Sequence, residues 1–375
     1  MQTRFNNSTI QQFNNSTMKF KKIAVKIGSN VLTRPDGTLD ITRMSALVDQ
    51  IAVLHKKGVE IVLISSGAVA SGRSIMGLHK KMDVVDQRQL FSAVGQAKLI
   101  NHYWDLFRDH GITVGQVLTT KENFSSRRHY LNQRNCMKVM LENKVIPIVN
   151  ENDTVSVSEL MFTDNDELSG LIASMMDMEA LIILSNVDGI FNGSPNTPGA
   201  QVIREIKKGE DISDFIQSSK SSFGRGGMAT KTSIARKIAD EGIDVFIANG
   251  KSENILVRLL DKKGEVVCTR FVASADLVSS VKKWIAHSQG FAKGEIHVNE
   301  NAAKALTGDK AVSLLAVGVI KIVGEFEKDD IVKIIDEKGK SLGVGKVQYD
   351  SGKALEIIGK KNQKPVVHCD YLYLE

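Results

Sequence analysis

The chain has 375 residues, 42% hydrophobic and 25% charged, a balance that fits a soluble protein of two or three domains. No run of about 18 apolar residues occurs, so no transmembrane span is expected; three widely spaced cysteines, Cys136, Cys268 and Cys369, argue against a disulfide framework or zinc site and for a reducing cytoplasm. The net charge of +6 invites a nucleic-acid partner, but residues 294–375 hold 12 Lys, no Arg and 13 Asp plus Glu, a net of −1, which leaves +7 on the first 293 residues, where an anionic substrate such as a nucleotide suits it at least as well as a polymer.

Residues 1–17 repeat Phe-Asn-Asn-Ser-Thr and lack the apolar core of a signal peptide, so they are expected to be a disordered extension with Met18 as the functional start. From Lys21 the pattern alternates. Strands are predicted at Ile23–Ile27, Val59–Ser65, Ile112–Leu118, Val145–Val149, Ala180–Ser185 and Ile243–Ala248. Helical faces run between them: Ile41, Met44, Leu47, Val48, Ile51 and Leu54 form one, and Leu168, Ile172, Met175 and Met176 another. This alternation predicts an α/β fold, a mostly parallel sheet sandwiched by helices, over residues 18–285. The rhythm fades around Asp261–Trp284, and residues 286–293 read as a linker. Residues 294–375 carry short alternating stretches (Gly318–Val323, Ile331–Ile335, Gly343–Val347) separated by turns, which predicts a small, mainly β domain.

Four loops carry the chemistry. The first strand ends in Lys26-Ile27-Gly28-Ser29; a buried lysine is costly unless paired or facing a ligand, and the small residues after it suit a phosphate, or equally a routine turn. The second strand ends in Ser65-Ser66-Gly67-Ala68-Val69-Ala70-Ser71-Gly72, small residues that fit either an anion at a helix start or close helix packing. Val145–Val149 runs into Asn150-Glu151-Asn152-Asp153 and then Asp164-Asn165-Asp166. At the carboxyl end of a strand, Asn150, Asn152, Asp153, Asn165 and Asp166 would offer acceptors for an ammonium and donors for a carboxylate; an Asx-rich turn with a helix cap is the plainer alternative. Gly224-Arg225-Gly226-Gly227-Met228-Ala229-Thr230-Lys231 misses the P-loop pattern, with Arg225 and Thr230 at its two glycine positions, yet still offers a glycine loop, a helix start and a lysine. No Gly-x-Gly-x-x-Gly follows the first strand, which disfavours a dinucleotide fold, and the 8 His form no catalytic arrangement. Two lysines, glycine loops and an acidic–amide pocket together point to phosphoryl transfer.

These residues resemble the amino acid kinase family from about Phe20 onward. Within it they are most similar to members that phosphorylate the side chain of L-glutamate, on Ser65-Ser66-Gly67-Ala68, Gln87…Ala93-Val94-Gly95-Gln96, Asn150-Glu151-Asn152-Asp153, Asp164-Asn165-Asp166 and Gly226-Gly227-Met228-Ala229-Thr230-Lys231. The tail from about Gly294 resembles a PUA domain. The resemblance implies ATP-dependent phosphorylation of L-glutamate to L-glutamyl 5-phosphate, the first step of proline biosynthesis, with feedback inhibition by proline. It implies Lys26, Asp166 and Lys231 as catalytic residues. Ser66, Gly67, Asp153 and Asn165 would bind substrate. Lys26, Ser185, Asn186 and Arg225, Gly226, Gly227, Met228, Ala229, Thr230 and Lys231 would bind nucleotide. Relatives commonly show Thr-Asp where this chain has Ser185-Asn186. No protein metal ligand is implied, Mg²⁺ being held mainly by the nucleotide phosphates. A homo-oligomer in the cytoplasm and a downstream glutamyl phosphate reductase partner are also implied. An N-acetylglutamate, aspartate or uridylate kinase is the nearest alternative. RNA binding through the PUA-like tail is a more distant one, disfavoured by that tail's acidic balance and lack of arginine.

Overall fold

β1 (Lys22–Ile27) lies in the middle of the larger sheet and is buried from Ile23 onward, as a strand covered on both faces requires. In this computed structural model it pairs in parallel with β2 (Glu60–Ser65) on one side and β5 (Ala180–Ser185) on the other. The structure describes residues 17–76, 83–155, 162, 164–194, 197–212, 215, 227–275, 279–308 and 311–374; all but the last residue of the 1–17 extension lies outside them.

With β3 (Val114–Thr119), β4 (Ile146–Glu151), β6 (Glu205–Ile206), β7 (Asp244–Asn249) and β8 (Cys268–Phe271), the sheet has the order β3-β4-β2-β1-β5-β7-β8-β6. All pairs are parallel except β7 with β8. β8 is a strand within the stretch where the sequence rhythm fades. β2, β4 and β7 each begin one residue later than predicted, and β3 begins at Val114 rather than Ile112.

Among the described residues, the helices that follow β1 in chain order are α1 (Ser29–Leu32), α2 (Ile41–Lys56), α3 (Ala68–Met76), α4 (Val84–Arg108), α5 (Arg127–Glu142), α6 (Asn165–Met175), α7 (Met228–Asp240) and α8 (Ile255–Leu260). Alternation along β1 divides the core. Ile23, Val25 and Ile27 join Met44, Leu47 and Ile51 of α2, Leu99 and Tyr103 of α4, and Leu256 and Leu259 of α8. Ala24 and Lys26 face the other way, toward α6. That parity puts a lysine ammonium beside the first turn of α6.

Backbone proximity divides the chain into two compact units: residues 1–121 with 133–277, and residues 122–132 with 278–375. The second contains α9 (Ser280–Ala286), β9 (Gly294–Val298), α10 (Glu300–Leu306), β10 (Val319–Gly324), β11 (Ile331–Ile335), β12 (Ser341–Val347), α11 (Ser351–Ile357) and β13 (Val367–Leu374). Its sheet runs β10-β9-β11-β12-β13 over a core of Ile296, Val298, Val332, Ile334 and Val367. Residues 286–293, read as a linker, hold the last residue of α9 and a 3-10 turn at Gln289–Phe291. Trp284 Nε1 donates to the Phe124 carbonyl at 3.0 Å, which fastens the 122–132 segment to this unit.

Candidate active site

Asp164 starts α6: its Oδ1 accepts the backbone N–H groups of Asp166 (2.9 Å) and Glu167 (3.1 Å), satisfying two orphan donors of the first turn. Asn165 and Asp166 are thereby set at the carboxyl ends of β1, β2 and β4, where open α/β sheets place their ligands.

Asp166 is buried and takes one lysine on each oxygen. Lys26 Nζ lies 2.5 Å from Oδ1 and Lys231 Nζ 2.9 Å from Oδ2. Burial pushes the Asp166 carboxyl up, but the two ammonium groups outweigh it and hold it below the ordinary carboxylate range. Two ammonium groups and one carboxylate meet here, with the Asp164 carboxyl near them. For Asp164, burial and then the Asp166 charge push the carboxyl up, against the Glu167 N–H that favours its ionised form.

The glycines divide by role. The Gly28 N–H donates to the Leu184 carbonyl at 3.0 Å, so the expectation that this amide serves a phosphate is corrected: it is spent on the scaffold. A Cβ there would lie 3.0 Å from that carbonyl and 3.7 Å from Lys26 Nζ, so glycine clears the approach to the lysine. Gly67 turns the chain from β2 into α3 at φ +114°, a conformation that side-chain-bearing residues rarely adopt. Gly72 serves helix packing, because a Cβ would sit 1.8 Å from the Phe91 carbonyl of α4. Gly95 is its counterpart, 1.9 Å from the Ala68 carbonyl of α3.

Asn165 Nδ2 donates to the Ser66 hydroxyl (3.0 Å), the Ser65 carbonyl (3.2 Å) and Asn150 Oδ1 (3.0 Å). Ser66, Asn150 and Asn165 are thus brought together. Asp153 is buried, and each of its oxygens already takes one donor. Arg88 Nε reaches its Oδ1 at 2.6 Å and the Ser92 hydroxyl donates to its Oδ2 at 3.1 Å. Arg88 Nη2 also reaches Glu151 Oε2 at 2.7 Å, while Glu151 Oε1 accepts the Phe162 N–H at 3.0 Å. Asn150 Nδ2 donates to Gln96 Oε1 at 2.8 Å. At the far end of the same helix the Tyr103 hydroxyl meets the Ser65 hydroxyl at 2.7 Å, and burial pushes the phenol pKa up.

The sequence reading assigns no role to Arg88, Ser92 or Gln96. They recur every four residues, so they form one polar stripe along α4, and that stripe faces Asn150, Glu151 and Asp153. The spacing was the available signal.

On the nucleotide side, Ser185 ends β5 and its hydroxyl donates to Asn186 Oδ1 at 3.4 Å; Asn186 is exposed. Gly227 stands at the N-cap of α7 and brings no side chain to the first-turn amides around Met228, Ala229 and Thr230, and Lys231 follows. Arg225 and Gly226 lie outside the described residues. The three cysteines are free; among the described residues, one group of potential metal ligands, His368, Cys369 and Asp370, falls on three successive residues of β13.

Comparison with known proteins adds to this geometry. The amino acid kinase family model matches residues 21–249, and the PUA domain model matches residues 294–368. A glutamate 5-kinase from Bacteroides thetaiotaomicron is 72% identical over 95% of this chain and 99% of its own. A glutamate 5-kinase from Chlorobaculum tepidum is 47% identical over 95% of this chain and 98% of its own. Among solved structures, an isopentenyl phosphate kinase aligns with 67% of this chain and 100% of its own, at 17% identity and a TM-score of 0.48.

Proposed function

The chain belongs to the amino acid kinase family and carries a C-terminal PUA domain, and from that premise we propose that it acts as a glutamate 5-kinase. It transfers the terminal phosphoryl group of ATP to the side-chain carboxylate of L-glutamate, giving L-glutamyl 5-phosphate, the first step of proline biosynthesis. The observation that carries the chemistry is the buried Asp166 carboxylate held between the ammonium groups of Lys26 and Lys231.

No general base is needed. A glutamate side chain has a pKa of about 4.3, so the nucleophile is already ionised at neutral pH. The obstacle is repulsion: two unit charges ~4 Å apart interact by about 4 kcal/mol at an effective dielectric near 20. Lys26 and Lys231 offset that repulsion and stabilise the charge that spreads over the phosphoryl oxygens in the transition state. Asp166 orients both ammonium groups, so the lysines need little rearrangement when substrates arrive.

Ser66, Gly67 and Asn165 line the amino-acid subsite, and Asp153 accepts the α-ammonium. Ser185, Asn186 and the segment from Arg225 to Lys231 hold the nucleotide, with the uncapped start of α7 directed at phosphate. Mg²⁺ supplies charge neutralisation when bound. Both Asp166 oxygens are engaged by lysines, which favours an ion carried on the nucleotide phosphates rather than on this carboxylate. Proline competes at the amino-acid subsite. No helix among the described residues is long and apolar enough to cross a membrane, which agrees with a cytoplasmic site of action.

The test is ATP- and Mg²⁺-dependent phosphorylation of L-glutamate, with the acyl phosphate trapped as a hydroxamate, with and without proline. Hydroxamate formation suppressed by proline is the expected result. ADP release with aspartate, N-acetylglutamate or uridylate, and none with glutamate, would overturn the substrate and keep the family.

A further inference from the structure

The polar stripe of α4 takes no part in the reaction as set out above, yet it organises the carboxylates of the amino-acid subsite. We propose that Arg88 is a positioning residue for that subsite: it bridges Glu151 and Asp153 and fixes the orientation in which the Asp153 carboxylate meets the substrate ammonium. This rests on the reading of Asp153 as the ammonium acceptor.

The geometry runs in one chain of contacts. Glu151 is anchored first: its side chain is 1% exposed, and one oxygen holds the Phe162 N–H at 3.0 Å. Its other oxygen holds Arg88 Nη2 at 2.7 Å. The same guanidinium then reaches Asp153 Oδ1 at 2.6 Å, and Ser92, one turn along α4, closes on Asp153 Oδ2 at 3.1 Å. Asp153 is therefore gripped on both oxygens by one helix. A guanidinium suits this task because its donors are rigidly forked and can serve two carboxylates at fixed angles; a lysine would supply the charge without the angles.

The charge argument is independent of orientation. Glu151 and Asp153 are two residues apart and both buried. Two such carboxylates without a cation between them cannot both stay ionised at low cost. The guanidinium between them offsets their mutual repulsion. Arg88 thus eases that repulsion as well as aiming the acceptor.

The experiment is a double-mutant cycle on the full chain, read by hydroxamate trapping, with Arg88→Gln, Arg88→Lys, Asp153→Asn and the Arg88→Gln/Asp153→Asn pair. We expect Arg88→Gln to raise the glutamate KM at least tenfold while kcat and the ATP KM stay within threefold. Arg88→Lys recovers part of the loss. The double variant binds glutamate no more than about twofold worse than Asp153→Asn alone, because Arg88 acts through Asp153. A glutamate KM within twofold of the parent in Arg88→Gln, or losses that multiply in the double variant, would overturn the role. If Arg88→Gln does not fold, Arg88→Lys replaces it in the same cycle, with a threefold or larger rise in the glutamate KM expected; an unchanged KM overturns the proposal. An Asp153→Asn variant with unchanged glutamate KM overturns both this role and the reading beneath it.

Discussion

Two ionic clusters in the first unit are near mirror images. At the carboxyl end of β1 and the start of α6, one buried carboxylate, Asp166, serves two cations, Lys26 and Lys231. Around β4 and α4, one cation, Arg88, serves two buried carboxylates, Glu151 and Asp153. The first gathers cations around an anion and the second gathers anions around a cation, and burying charge in such unequal numbers costs more than burying a matched pair. The two arrangements suit ligand groups of opposite sign. Under the proposed function, the ATP phosphates and the reacting carboxylate would meet the first and the α-ammonium of glutamate the second.

The largest expected effect breaks the positive cluster. Lys231→Ala should lower kcat by about 10²- to 10³-fold, the scale seen when one preorganised transition-state donor is removed, and leave the glutamate KM within a few fold. Equal turnover in mutant and parent would remove the lysine pair from the chemistry. Asp153→Ala should do the reverse, raising the glutamate KM by roughly 10- to 100-fold, the loss of a charge-assisted contact, with a smaller change in kcat. A kcat-only effect would mean that the two clusters do not divide the work this way.

Gly95→Ala attacks the negative cluster through its scaffold. The new Cβ would meet the Ala68 carbonyl at 1.9 Å, forcing α3 and α4 apart and lifting Ser92 and Gln96 from their partners. We expect a destabilisation of about 1–3 kcal/mol, seen as a lower Tm, with the glutamate KM raised more than the ATP KM. Unchanged thermal stability would contradict the close crossing.

The smallest effect separates Asp164 from Asp166 by pH. Asp166 has a depressed pKa, so its contribution to stability is present above about 3.9, the ordinary Asp value, and is lost as pH falls from there through its lowered value. Asp164 has a raised pKa, so the folded state binds its proton more tightly, and stability declines as pH rises from about 3.9 through the raised value. Asp164→Asn keeps a capping oxygen and removes that decline. Urea melts across pH 3–8 should show a flatter profile above pH 4 in the variant and the same acid loss in both.

Much of the positive cluster was legible in the sequence. Lys26 stands alone in an apolar strand, and Lys231 follows a glycine run, so each advertises itself locally. Asp166 was legible as part of an Asx-rich cluster, though not as the point where both lysines meet. The negative cluster was half visible. Asn150 and Asp153 stand out after β4, but Arg88 looks like an ordinary helix surface residue, and its carboxylates lie 63 and 65 positions away. Nothing local distinguishes such a pairing; only the four-residue recurrence of Arg88, Ser92 and Gln96 hints at a face with a purpose. Similarly, the strand at Cys268–Phe271 is short and antiparallel on β7, outside the strand–helix rhythm that revealed its neighbours. The attachment of residues 122–132 to the second unit depends on the Trp284–Phe124 contact, made across 160 positions.

The lysine pair on Asp166 also sets heat resistance against turnover. Two nearly dry ammonium groups share one carboxylate, so folding holds two like charges close together that the unfolded chain would spread in water. Replacing Lys231 with methionine would relieve that load while keeping the packing, and the resulting protein should melt higher and work worse. Selection for thermal tolerance alone would erode this corner first, and ATP, by filling it, should raise the melting temperature of the parent more than that of the variant.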